Sequence, residues 1–291
     1  MDSKGLDVKS IKPFLSIPKP ISFPGKYGIC YGYFYPPTNL SGELGKKFMP
    51  PLVVRAHGGP TAQASRIFRL DIQYWTSRGF AVLDVNYGGS TGFGRHYRLR
   101  LYCKLGIQDM NDCCSAAQWC VNKDLVNRSW LCIHGINKGG YATLCALTFR
   151  DVFSVGALEY GISDLATLHL NTHKFESQYM DSLTGNEKET YDERNPINFT
   201  QKLNCPIILL QGDEDKGVSL NEAEIIYEKL KEKAIFTTLV IYKGEQYGFR
   251  KRKNICHSLS SQYEFFCKVL GIQPLKEIGF LGIEIGERIE I

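Results

Sequence analysis

Short apolar runs recur along this chain, and between them lie stretches whose apolar residues return every three or four positions. PLVVRAH (51–57), FAVLDVNY (80–87), WLCIHG (130–135), VGALEYG (155–161), PIILLQG (206–212) and FTTLVIY (236–242) each read as a buried strand. The intervening helices are predicted at FRLDIQYWTSRG, closed by Gly79, and at IQDMNDCCSAAQWCVN, where Ala116, Trp119 and Cys120 share one side. The small and apolar series from Gly139 to Leu147 predicts a buried helix, and EAEIIYEKLKEK and ICHSLSSQYEFFCKVLG supply two more. Upstream, the aromatic and β-branched content of ISFPGKYGICYGYFYPP predicts a hairpin. Strand–helix alternation at this spacing means an α/β fold, a mostly parallel sheet with helices on both faces. Right-handed crossovers then put the functional loops at the carboxyl ends of the strands. Residues 163–203 carry few strand signals and read as a cap or excursion. The expected organisation is an N-terminal extension over 1–17 and a single domain over 18–291.

Composition narrows the class. With 43% hydrophobic and 12% aromatic residues among 291, a sizeable core is expected. Lysine and arginine exceed the acids by 35 to 30, too slight an excess to call for a nucleic-acid or membrane partner. The run Arg250–Lys253 reads as a solvated loop leading into a helix. No apolar run reaches membrane-spanning length and MDSKGLDVKS has no signal-peptide character. The ten cysteines show neither a C-x-x-C pair nor zinc-like spacing with histidine. They read as reduced thiols of a cytoplasmic protein, with no metal and no cofactor expected.

The chemistry concentrates at Gly135-Ile136-Asn137-Lys138-Gly139-Gly140, between a predicted strand and a predicted helix. That is the position of a G-x-S-x-G nucleophile elbow, whose glycines permit a sharp turn and whose tip presents a hydroxyl. Here the glycines are present and the tip is an amide.

Further motifs follow in order: HGGP (57–60), NYGGSTGFGR (86–95), HKFESQYMDSLTG (173–185), NPINF (195–199), QGDEDKGV (211–218) and GEQYGFR (244–250). From about Pro18 to Leu270 the chain resembles the prolyl oligopeptidase (S9) family, most closely its acylaminoacyl-peptidase and dipeptidyl-peptidase-like branch. The resemblance implies the α/β-hydrolase fold and a triad in the order Ser, Asp, His, which falls here on Asn137, Asp215 and Tyr247. It also implies oxyanion donors among the main-chain N–H groups of His57, Gly58 and Gly59 and at Lys138. Relatives often carry Arg where Gly88 stands, and they place a β-propeller ahead of the hydrolase domain. No stretch of this chain is long enough for a propeller, so none is expected.

An amide has no proton it can usefully lose and no alkoxide-like oxygen, and a tyrosine with a pKa near ~10 is a poor base at neutral pH. The leading expectation is therefore an inactive S9-type domain whose pocket binds a peptide or protein ligand. A weak or rewired peptidase or esterase is the enzyme alternative, and a decayed product without selected activity is a third. Asp215 is expected to accept a hydrogen bond from the Tyr247 hydroxyl, in an Asp-Tyr-Asn contact. His57 reads as a loop brace, His134 as a buried strand-end residue and Cys132 as core. His169, His173 and His257 show no ligand-like pattern.

Overall fold

Each apolar run becomes a strand, and the surroundings of each strand explain its composition. The computed structural model describes residues 12–38, 49–171, 177–185, 188–274 and 287–291. The aromatic segment folds as an antiparallel hairpin of β1 (Lys19–Gly25) and β2 (Gly28–Tyr35). There follow β3 (Leu52–Ala56), α1 (Leu70–Thr76), β4 (Ala81–Asn86), the single turn α2 (Arg95–Arg98) and α3 (Gln108–Asn122). Next come β5 (Leu131–Ile136), α4 (Lys138–Phe149) and β6 (Val155–Glu159). The expected excursion is built of α5 (Leu165–Asn171), α6 (Ser177–Thr184), α7 (Lys188–Arg194) and a 3₁₀ segment at Pro196–Lys202. The chain returns through β7 (Ile207–Gly212), α8 (Leu220–Glu232), β8 (Thr237–Tyr242), α9 (Arg252–Leu270) and β9 (Arg288–Glu290).

Among the described residues the strands form one sheet in the order β1-β2-β4-β3-β5-β6-β7-β8-β9. The β1–β2 and β2–β4 pairs are antiparallel and every other pair is parallel. This is the α/β-hydrolase arrangement. The central strands are apolar throughout because both faces are covered: β3, β4, β7 and β8 are buried at every position. One apolar cluster, including Val54, Leu83, Ile133, Leu144 and Leu209, fills the face under α3, α4 and α8. The other, including Val53, Trp75, Val82, Cys132 and Phe266, fills the face under α1 and α9. Each large apolar side chain so buried contributes about 1.5–3 kcal/mol by removal from water.

Three features depart from the sequence reading or fall outside it. The strand β9, an exposed edge pairing with β8, has no counterpart in the predicted elements. Residues 12–17 of the expected extension are docked: the Ser16 N–H donates to Gln73 Oε1 at 2.7 Å and its hydroxyl to the Pro36 carbonyl at 2.6 Å. Residues 1–11 of that extension, and His173 with the start of its motif, lie outside the described residues. The cysteines are all free thiols. Among the described residues no cluster of histidine, cysteine and acids suits a metal, and no helix is long and apolar enough to cross a membrane.

In α3, Asp109 is almost wholly buried (1% exposed), with no side-chain partner for either of its oxygens. Burial pushes its carboxyl from 3.8 up to about 7, against nearby helix amides and with help from Asp112. A raised folded-state pKa means that Asp109's contribution is most favourable below about pH 4 and is lost as pH rises through 7. A change of that size corresponds to at most ~4 kcal/mol at pH 8. Asp109→Asn is therefore expected to raise the melting temperature more at pH 8 than at pH 4.5. Equal effects at the two pH values in thermal unfolding would refute this account.

Candidate active site

The sharpest turn in the chain lies between β5 and α4. Asn137 occupies it at φ 53, ψ −123, a region that non-glycine residues rarely enter and that typically costs ~1–3 kcal/mol. Asparagine tolerates positive φ better than most residues. The turn is as tight as it is because three backbone segments meet there. A side chain at Gly135 would collide with the Gly139 carbonyl, and one at Gly139 with the Ala56 carbonyl at the end of β3. Glycine at both positions lets α4 start directly against β3 and β5.

The Asn137 side chain folds back on its own backbone, its Oδ1 accepting the N–H of Lys138 in a very short hydrogen bond. The first free amide of α4 is thus capped from within. Lys138 itself is buried, with its ammonium 4.9 Å from the ring centroid of Tyr179. Burial and ring contact place this lysine in the wall beside the turn.

The His57–Pro60 loop leans over the same turn. A Cβ added to Gly58 would lie 3.3 Å from the Ile136 carbonyl oxygen and 3.7 Å from Asn137 Cβ. His57 holds the loop in shape: its ring stacks on Tyr87 at 4.2 Å and its Nε2 lies 2.7 Å from the Ser90 hydroxyl. The Tyr87 hydroxyl also donates to the His57 carbonyl at 2.8 Å. Burial lowers the His57 pKa, which favours neutral imidazole. Its ring is therefore engaged as a brace. Tyr87 and Ser90, which hold it, were not singled out by the sequence reading, although both lie inside the NYGGSTGFGR motif.

A side chain at Gly88 would require Gln108 to shift. The volume is taken by Gln108, whose Nε2 would stand 2.8 Å from an added Cβ, and the Gly88 N–H donates to Asp112 Oδ2 at 2.8 Å.

Asp215 and Tyr247 come from the loops after β7 and β8, and the fold brings them side by side. A Cβ on Gly217 would lie 3.4 Å from Asp215 Oδ1 and 3.6 Å from Tyr247 Cδ2. Asp215 Oδ1 accepts the N–H groups of Gly217 and Val218 at 2.8 and 3.0 Å. Its Oδ2 is buried and accepts no hydrogen bond. The expected bond from the Tyr247 hydroxyl is therefore not made to that oxygen. The Tyr247 ring lies 5.7 Å from Tyr160 and is 53% exposed.

The arrangement retains a turn, a bracing loop and an acid, while its amide tip occupies the first helix donor. Nothing in it supplies an ionisable nucleophile at position 137. If the Asn137 cap carries weight, Asn137→Ala should lower unfolding free energy by ~1–2 kcal/mol, through the lost acceptor and the strained φ. Asn137→Gly should stay within ~0.5 kcal/mol of the parent. Urea denaturation of the two variants checks this, and an alanine variant as stable as the parent would remove the cap from the account.

Comparison with known proteins covers the same ground. A sequence model of the prolyl oligopeptidase family matches residues 66–273. Dipeptidyl aminopeptidase BIII of Pseudoxanthomonas mexicana is 32% identical over 70% of this chain and 31% of its own length. The acylamino-acid-releasing enzyme of Arabidopsis thaliana is 24% identical over 73% of this chain and 29% of its own. Among solved structures, a puromycin-hydrolyzing peptidase of Mycobacterium tuberculosis superposes with a TM-score of 0.87. It is 38% identical, over 90% of this chain and 41% of that one. The chain thus spans about a third of the length of the two curated relatives.

Proposed function

The chain belongs to the prolyl oligopeptidase family, and from that premise we propose that its hydrolase-fold apex has lost bond cleavage and serves to bind a peptide or protein ligand. One observation carries this reading: the residue at the elbow is an amide whose own oxygen takes the Lys138 N–H. In a serine hydrolase the corresponding tip residue attacks the substrate carbonyl and the amide that follows it stabilises the oxyanion. Asn137 cannot attack, and its carboxamide stands where a substrate oxygen would be received. The residue at the base position, Tyr247, has no imidazole to take a proton from a nucleophile and return it to a leaving group. Removing triad members from hydrolases that use them leaves only ~10³–10⁴ over water. A site of this composition is matched to holding a carbonyl-bearing chain, with backbone donors of the His57–Pro60 loop as its fixed contacts.

Ligand binding at this apex is expected to involve rotation of the Asn137 amide away from Lys138, so that an incoming carbonyl exchanges one acceptor for another. Such an exchange is close to neutral in hydrogen-bond count, which limits affinity from this contact alone. Affinity must then come from apolar contacts in the surrounding walls. The peptidase names of the relatives describe those proteins, and they supply the peptide as ligand class here.

Two experiments test the reading. A fluorophosphonate probe should leave the purified protein unlabelled, and labelling at any residue would favour a weak or rewired hydrolase instead. The double substitution Asn137→Ser with Tyr247→His should restore measurable cleavage of short aminoacyl esters, because Asp215 keeps an uncommitted oxygen for a histidine. A folded double variant with no turnover would mean that the apex has diverged beyond the triad.

A further inference from the structure

On the sheet face covered by α1 and α9, the core-facing positions near the carboxyl ends of four adjacent strands are charged or ionisable rather than apolar. Asp84 in β4, Arg55 in β3 and His134 in β5 are register partners across the sheet, and Glu159 follows in β6. Side chains two residues apart in a strand share a face, so these sit directly above Val82, Val53, Cys132 and Ala157 of the apolar cluster. Arg55, His134 and Glu159 of this row line a cavity of about 210 Å³, together with Ile136 next to the elbow.

The two ends of the cavity differ in charge. At one end Asp71 links two guanidinium groups: Arg55 Nη2 at 2.8 Å, and Arg69 through Nε at 3.1 Å and Nη2 at 2.6 Å. Burial opposes ionisation of Asp71, and the two arginines overcome it and hold the carboxyl well below the usual range. Arg55 is 7% exposed, yet its Nη1 has no hydrogen-bond partner. Asp84 faces Arg55 from β4 and supports its charge, but forms no hydrogen bond to that nitrogen. At the other end Glu159 lies 3.3 Å from His134 Nε2 and 2.5 Å from Gln262 Nε2. Between the ends the walls are Trp75, Ile136, Phe249, Ile255 and Leu259.

A buried guanidinium nitrogen without an acceptor is costly, and proteins rarely leave one so. Side chains of both signs line the cavity, Arg55 and Arg69 beside Asp71 and Glu159 beside His134. A ligand that itself carries both signs can meet both groups. An engineered cavity of ~150 Å³ is enough for a benzene ring, so this one has room for an apolar body and a small charged head.

We propose that the cavity binds a free apolar α-amino acid, its carboxylate on Arg55 and Arg69, its ammonium toward Glu159 and its side chain against Trp75, Phe249 and Ile255. The site is separate from the elbow reading above and stands or falls without it. Recognition rests on both charged groups together, because a pocket that pairs each of them rejects analogues lacking either.

Calorimetry and thermal shift with L-phenylalanine and L-leucine test the proposal, using 3-phenylpropionate and phenethylamine as single-charge analogues. Saturable binding of the amino acids with a rise in melting temperature is expected, and each analogue should bind at least ~10-fold more weakly. Arg69→Met and Ile255→Trp alter half-exposed wall positions that the fold tolerates, and each should weaken binding by ~10-fold or more. Glu159→Gln should narrow the preference for L-phenylalanine over 3-phenylpropionate. Asn137→Ala should leave the affinity unchanged, locating the ligand away from the elbow. The proposal is overturned by no saturable binding up to ~10 mM, by 3-phenylpropionate binding as tightly as L-phenylalanine, or by full binding in both wall variants.

Discussion

The start of α4 is pressed against the ends of β3 and β5 so closely that no side chain fits at Gly135 or Gly139. This contact sets the backbone of the turn, and it does so without reference to the residue at the tip. The elbow shape is a product of sheet packing, and the side chain at position 137 needs only to tolerate φ 53. Asparagine meets that requirement and adds an acceptor one bond away from the first open helix amide. The turn therefore accepts an amide, which closes on the neighbouring N–H. The shape of the turn and the chemistry of its tip thus rest on different atoms.

A similar division holds at the other loops. Asp215 owes its position to the amides of Gly217 and Val218, so it stays in place whether or not an imidazole stands opposite. The His57 loop is kept by Tyr87 and Ser90, whose contacts also run to His57 rather than to any reacting group. The apex is a set of self-supporting loops at the carboxyl ends of parallel strands. Each loop is fixed by contacts of its own and so holds its shape independently of the others.

Much of the fold was legible because the central strands are buried on both faces and so appear as uninterrupted apolar runs, and because α4 is built from small residues. The hairpin was legible from its aromatic strands around Lys26 and Tyr27. The strand β9 was not, since three residues at an exposed edge carry no pattern of their own. At the site, the glycine spacing around Asn137 marked the turn, and the capping of Lys138 was hidden because it depends on a side-chain rotamer. The expected Tyr247–Asp215 bond does not reach Oδ2, and Oδ1 is held by local amides that residue types do not disclose. The charged row under α1 and α9 did leave a signal, in Arg55, Asp84, His134 and Glu159 at inward positions of apolar strands. A charge inside such a run is easily read as its interruption, whereas here Arg55 is paired with Asp71 and His134 with Glu159.

The elbow and the cavity share two strands. The N–H of Asn137 donates to the Glu159 carbonyl at 3.2 Å, while the Glu159 side chain turns to His134 and Gln262 on the opposite side of the sheet. Coupling between two sites requires an element with two arrangements that both ligands bias. The ends of β5 and β6 are poor candidates for that role, because they are hydrogen-bonded to neighbours on each side and packed on both faces. Occupancy of the cavity should then leave the elbow turn unmoved, and a ligand at the elbow should act through its own loops. Independence of the two sites follows from the same close packing that holds the turn in shape.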